Sequence, residues 1–171
     1  ASNSADIPEM LVATGVIPAE IECRQLIVIK GQHKITHNGK SYYKATLHAF
    51  EKNGRRWKNR IEPFKVNLGI GGILPEELKK EGDLATPSGF YPIPYVFGYS
   101  KDIDTKMDFV VVNSNHFWVC DTASEQYNKM IEDVNGIYKS NPRNERLRRQ
   151  DQLYKYAIVI GYNQNPTIKG K

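Results

Sequence analysis

The sequence predicts a mainly β fold with some α, folded as a single domain over residues 1–171. Three observations predict it. Short runs rich in β-branched and aromatic residues recur along the chain, bounded by turn residues. An Asn-Gly pair, Asn53-Gly54, joins two of those runs as a hairpin. A single segment carries a strong apolar spacing of an amphipathic helix. Hydrophobic residues make up 40% of the 171 and charged residues 25%, enough for a core and ordinary for a globular protein.

The elements follow in order. Gln25-Leu26-Ile27-Val28-Ile29 is a β-branched run. Residues 43–50 alternate as a strand, Lys52-Asn53-Gly54 turns the chain, and residues 55–61 return with Trp57. Residues 64–68 pair next. Thr86-Pro87-Ser88-Gly89 has the grammar of a tight turn, with Pro fixing φ at the second position and Gly at the fourth. Phe90, Tyr91 and Ile93 then form a strand, kept at a sheet edge by Pro92 and Pro94. Residues 109–112 and 117–119 are strands around an Asn113-Ser114-Asn115 turn, and residues 154–162 are the last one.

The helix is expected after Thr122-Ala123-Ser124-Glu125, which has the form of a capping box. Tyr127, Met130, Ile131 and Val134 then share one face, and Asn135-Gly136 ends it. A second, polar helix is expected over residues 142–152, with Arg143, Arg146, Arg148 and Arg149 among acids.

The net charge of +5 (24 Lys and Arg, 19 Asp and Glu) is mildly basic. It suits an anionic partner without demanding one. No apolar run reaches the length of a membrane span. The start Ala1-Ser2-Asn3-Ser4 lacks Met and fits what signal-peptide cleavage leaves, although a cloning scar reads the same way. Cys23 and Cys120 could pair in an exported protein and would stay reduced in a cytosolic one.

Candidate chemistry is sparse. Gly69-Ile70-Gly71-Gly72 lacks the third glycine of a dinucleotide fingerprint, since Leu74 stands there, and reads as a loop. His116 and Cys120 could form a nucleophilic pair. On a strand, however, four residues separate them by about 13 Å. The four histidines, His33, His37, His48 and His116, lack zinc spacing, so no metal is expected. Lys52, Arg55, Arg56, Lys58 and Arg60 around Trp57 form a basic ribbon. The expectation is a solvated strand face with Trp57 turned inward, and no nucleic-acid partner. The loop carboxylates Glu81, Asp83, Asp102, Asp104 and Asp108 show no paired acid and base.

Several stretches together resemble the YkuD-like L,D-transpeptidase family of bacterial cell-wall enzymes. Lys80-Glu81-Gly82-Asp83 followed by Thr86-Pro87-Ser88-Gly89 is similar to that family's "EGD", two residues, "TP-x-G". Arg24-Gln25-Leu26-Ile27-Val28 resembles its opening strand, and residues 43–57 its next hairpin. Trp118-Val119-Cys120-Asp121, leading to Ser124 and Tyr127-Asn128, resembles the segment before its helix. Tyr156-Ala157-Ile158-Val159-Ile160-Gly161-Tyr162-Asn163 resembles the strand before its active site.

The resemblance implies a YkuD-like mixed β-sandwich with a packed helix in a periplasmic or otherwise exported protein. It also implies a cysteine acyltransferase acting on peptidoglycan stem peptides, by 3→3 cross-linking or by carboxypeptidase trimming. A thiolate attacks the stem peptide, a histidine handles protons, and an oxyanion hole holds the intermediate, with no cofactor. The family's catalytic block follows the strand at residues 154–162, in a His-bearing strand and a Ser/Thr-x-Gly-Cys segment. No His or Cys follows His116 and Cys120 here. Catalytic residues are therefore expected beyond Lys171, and a missing C-terminal segment is the natural neighbour of this strand. The alternative is a non-catalytic wall-binding module on the same scaffold. Substrate would bind in a cleft lined by Tyr91, Trp118 and Tyr162.

Overall fold

The computed structural model describes residues 6–171, so the small polar start at residues 1–4 lies outside the described residues. The chain is mainly β. It divides into two compact units, Ala1–Phe90 and Tyr91–Lys171.

The first unit is built on a long hairpin. β1 (Gln25–His37) and β2 (Lys40–Asn53) run antiparallel, with a bulge between Lys30 and His33. Asn38 and Gly39 turn the chain with φ of 50° and 73°, the positive values such a two-residue turn requires. β3 (Arg56–Asn59) and β4 (Phe64–Asn67) both pair with β2, β3 at its end over residues 50–53 and β4 at its middle over residues 44–47. The Asn53-Gly54 hairpin and the pairing of residues 64–67 are as the sequence predicts.

Alternation along the hairpin selects the core. Leu26, Val28, Phe50 and Trp57 point inward and are buried, while Ile27 and Ile29 face out. Across this face lies α1 (Ile7–Ala13), which the sequence does not announce. Its signals are short-range, a Pro in the first turn and Glu9 beside the N-terminus. Ile7, Ile17, Leu11, Val12, Ile21 and Cys23 complete the cluster.

The unit ends in a compact loop system. β5 (Ile73–Leu74) and β6 (Thr86–Pro87) pair in parallel, with a 3-10 turn at Glu76–Leu78 between them. The expected tight turn at residues 86–89 is thus corrected. Thr86 N–H donates to Gly72 O and Ser88 N–H to Leu74 O, so the stretch is extended.

The second unit holds two three-stranded sheets. In one, β7 (Val96–Gly98) lies between β8 (Phe109–Val111), parallel to it, and β12 (Tyr156–Ile158), antiparallel. In the other, β9 (His116–Trp118) lies between β10 (Met130–Glu132) and β11 (Glu145–Arg146), both antiparallel. Phe97, Val112, Leu147 and Val159 form the buried centre.

Three expectations fail here. The strand at residues 90–93 is absent. Pro92 and Pro94 have no N–H to return to a neighbour. The segment accepts at Pro92 O from Gly161 N–H and at Tyr95 O from Val159 N–H, and the ladder begins at Val96.

The helix over residues 122–134 does not form. The Asp121 side chain accepts from Ala123 N–H and the Ser124 hydroxyl from Gln126 N–H. These local turns replace helical bonds. Asn128 then takes φ of 60°, and residues 130–132 become β10. Tyr127 is buried but Val134 is 77% exposed, so the apolar face is not shared. The polar helix over residues 142–152 is replaced by turns and β11. The predicted last strand contracts to β12.

Candidate functional site

Tyr91, Trp118 and Tyr162 all lie in the second unit, and all are half-buried. The structure brings two of them into ring contact. Tyr91 and Tyr162 meet edge to face, with centroids 5.7 Å apart and planes at 90°. This is a favoured geometry for aromatic quadrupoles. Trp118 reaches the same place through an intermediary. Its indole N–H donates to Asn128 Oδ1 at 3.2 Å. Asn128 Nδ2 in turn donates to the carbonyls of Tyr162 (3.1 Å) and Asn163 (2.7 Å).

Asn128 is the organising residue, and the sequence alone gives it no role. The one signal is its residue type, since Asn tolerates the left-handed conformation it adopts. Its main-chain N–H donates to Val119 O, which fixes the turn at the end of β9. Asn163, with φ of 50°, repeats the device. Its amide donates to Ile168 O and Lys171 O and accepts from Ile168 N–H. The buried Tyr127 hydroxyl also donates to Lys171 O. Tyr127 and Asn128 thus tie residues 162–171 to the turn between β9 and β10, while Asn163 closes that segment on itself. The arrangement offers aromatic faces and fixed polar groups, which suits binding.

The "EGD" and "TP-x-G" stretch forms its own construction in the first unit. Lys79 Nζ pairs with Asp83 Oδ1 at 2.5 Å, with side chains only 8% and 9% exposed. Asp83 also accepts from the N–H groups of Lys80 and Ala85, and Lys79 donates to Ala85 O. Burial pushes the Asp83 carboxyl up. The Lys79 ammonium and the two N–H donors outweigh that and hold it at about 2.

The Gly69–Gly72 loop packs directly on this corner. Gly69 N–H donates to the Thr86 hydroxyl and Gly71 N–H to Leu84 O. A Cβ on Gly69 would lie 2.2 Å from Leu84 O, and one on Gly71 2.6 Å from Asp83 O. The glycines serve close backbone approach. Thr86 and Ser88 take structural positions, both bonded into the β5–β6 pairing.

His116 and Cys120 do not form a catalytic pair. The His116 ring makes its hydrogen bonds with Asn113, whose N–H reaches Nδ1 at 3.1 Å. The Cys120 thiol donates to Trp118 O at 3.7 Å. Cys23 and Cys120 are both thiols in the structure. Burial pushes the Cys23 thiol up, only partly countered by Lys52. Trp57 is buried in the core, with Lys52 Nζ 5.7 Å from its ring centroid, so that ring offers no stacking platform. Among the described residues no group of three His, Cys, Asp or Glu is placed to hold a metal ion, and no helix is long and apolar enough to cross a membrane.

Comparison with protein-family models, with curated proteins and with solved structures finds no match to this chain.

Proposed function

We propose that this chain is the larger, N-terminal part of an L,D-transpeptidase-type cysteine acyltransferase domain that acts on peptidoglycan stem peptides, by 3→3 cross-linking or carboxypeptidase trimming. Its fold would be a YkuD-like mixed β-sandwich in an exported, periplasmic protein. The nucleophile and its histidine lie beyond Lys171 in this reading, and no metal or cofactor takes part.

One observation carries the proposal. Among the described residues β12 pairs with β7 alone; its outward residues Tyr156 and Ile158, and Ile160 just beyond it, are 53%, 52% and 49% exposed. A strand this apolar has the composition of one covered on both sides. The catalytic block that the resemblance implies would follow this strand and supply the cover. The Tyr91, Tyr162 and Trp118 cluster stands at the same end of the unit, joined through Asn128, where a stem peptide would lie.

The second reading is a non-catalytic wall-binding module. The Cys120 and His116 geometry favours it for residues 1–171 alone, since neither is placed to act on the other.

Intact mass spectrometry after incubation with tetrapeptide muropeptides separates the two. The protein with the residues that follow Lys171 is expected to gain an acyl adduct with loss of D-alanine. Residues 1–171 are expected to bind without an adduct. A reading frame that ends at Lys171, with binding retained, gives the second reading. Absence of both binding and adduct removes both.

A further inference from the structure

We propose that the open concavity lined by Arg146, Arg148 and Arg149 is a binding site for a small oxyanion, a carboxylate or a phosphate. It measures about 710 Å³ and is completed by Gln150 and Asp151.

The guanidinium groups there are held in place before any ligand arrives. At the end of β11 and just beyond it, Leu147 is buried while Arg146 and Arg148 are exposed. The Arg146 guanidinium lies over the Phe117 ring at 5.1 Å, and that of Arg148 over Tyr99 at 4.2 Å. Each also directs Nη1 to a main-chain carbonyl, Ser114 O for Arg146 and Tyr99 O for Arg148, both at 3.1 Å. Stacking and one hydrogen bond fix a long side chain that otherwise loses rotamer entropy on binding.

Among the described residues, the charges of Arg146 and Arg148 are not answered by a carboxylate. Asp151 at the rim accepts from Arg149 Nε and Nη2, and Glu145 pairs with Arg149 at 3.7 Å. Among the described residues no carboxylate forms an ion pair with Arg146 or Arg148. Their remaining N–H donors form forks that match the paired oxygens of a carboxylate or phosphate. Tyr99 ties the site together, since its ring carries Arg148 while its hydroxyl accepts from Arg149 N–H.

The site is independent of the peptidoglycan reading, and its test uses other ligands. Titration of the full chain with inorganic phosphate and, separately, with tricarballylate is followed by calorimetry. Saturation by phosphate alone assigns a phosphate-bearing ligand, by tricarballylate alone a carboxylate-bearing one, and by both an oxyanion site of broad choice. The double variant Arg146→Gln/Arg148→Gln is expected to bind about tenfold more weakly or worse. Arg55→Gln/Arg56→Gln removes the same charge from the first unit and is expected to bind as the parent does.

A second readout needs no variant. Phenylglyoxal modification of the parent, mapped by peptide mass, is expected to be blocked by the bound anion at Arg146 and Arg148 and not at Arg55. Saturation by neither anion, equal loss in both double variants, or no selective protection overturns the proposal.

Discussion

The Asn128 side chain accepts the Trp118 indole N–H at 3.2 Å while its own amide donors hold the main chain at Tyr162 and Asn163. One half-buried amide therefore joins β9 to a segment more than thirty residues away. Asn128→Gly keeps the left-handed backbone without steric cost and deletes the amide. It is expected to lower stability by about 1–3 kcal/mol, the cost of leaving buried groups unmatched. Asn128→Ala adds about 1 kcal/mol more for the backbone alone. Urea denaturation followed by Trp118 fluorescence reads both. A Gly variant as stable as the parent would show that Asn128 does not hold the aromatic cluster together.

Asp83 gives the first unit a predictable acid sensitivity. Its carboxyl sits at about 2 in the folded chain, against about 3.9 unfolded. A depressed value means stabilisation that is complete above the unfolded value and lost as pH falls from about 4 towards 2. Asp83→Asn is expected to flatten that part of the pH–stability curve. At neutral pH it should cost about 3 kcal/mol, because Lys79 is left buried without its counter-charge. Lys79→Met/Asp83→Leu should be less harmful than either single change. A curve for Asp83→Asn that parallels the parent down to pH 2 would remove Asp83 as the cause.

Gly69 offers a test of close approach with no backbone strain attached. A Cβ there meets Leu84 O at 2.2 Å, and main chain cannot swing aside as a side chain can. Gly69→Ala is expected to cost about 2 kcal/mol or more. Gly15 makes the contrast: its φ is 75°, but nothing lies within 4 Å of where a Cβ would stand. Gly15→Ala should cost only about 1 kcal/mol. Thermal unfolding of the two variants ranks them, and the reverse order would show that the loop moves freely.

What is legible in the sequence follows from range. The Asn53-Gly54 hairpin, the partnering of residues 64–67 and the inward turn of Trp57 rest on two-residue alternation and turn chemistry, which are written locally. The helix expected after Thr122 fails for an equally local reason. Asp121, Ser124 and Asn128 each offer the backbone a turn, and spacing of apolar residues does not register that competition. The task of Gly69 is illegible because Leu84 stands fifteen residues away, and that of the Asn128 amide because the carbonyls it binds, at Tyr162 and Asn163, stand more than thirty away. Only the resemblance names Tyr91 and Tyr162 together, and their contact spans seventy-one positions that no pattern links.

Cys23 packs on the core of the first unit, and burial pushes its thiol up against the weaker pull of Lys52. Less thiolate at neutral pH means slower alkylation. Iodoacetamide is expected to label Cys23 more slowly in the folded chain than in urea, with its rate–pH curve displaced upward. Lys52→Gln removes the lowering influence and should displace it further. Equal rates folded and unfolded would mean that the thiol is open to solvent.

The outer face of β12 decides between the two functional readings. Ile158 is 52% exposed, and among the described residues no strand pairs on the far side of β12 from β7. In residues 1–171, Ile158→Lys should change stability by no more than about 0.5 kcal/mol, as at other exposed positions. Where the reading frame continues past Lys171 and the following block covers β12, the same change buries an unpaired ammonium. It should then cost about 3 kcal/mol and abolish acyl transfer. Paired denaturation curves of the short and continued chains measure the difference. A neutral effect in both would mean that nothing folds over Tyr156, Ile158 and Ile160, and the transpeptidase reading would lose the observation that carries it.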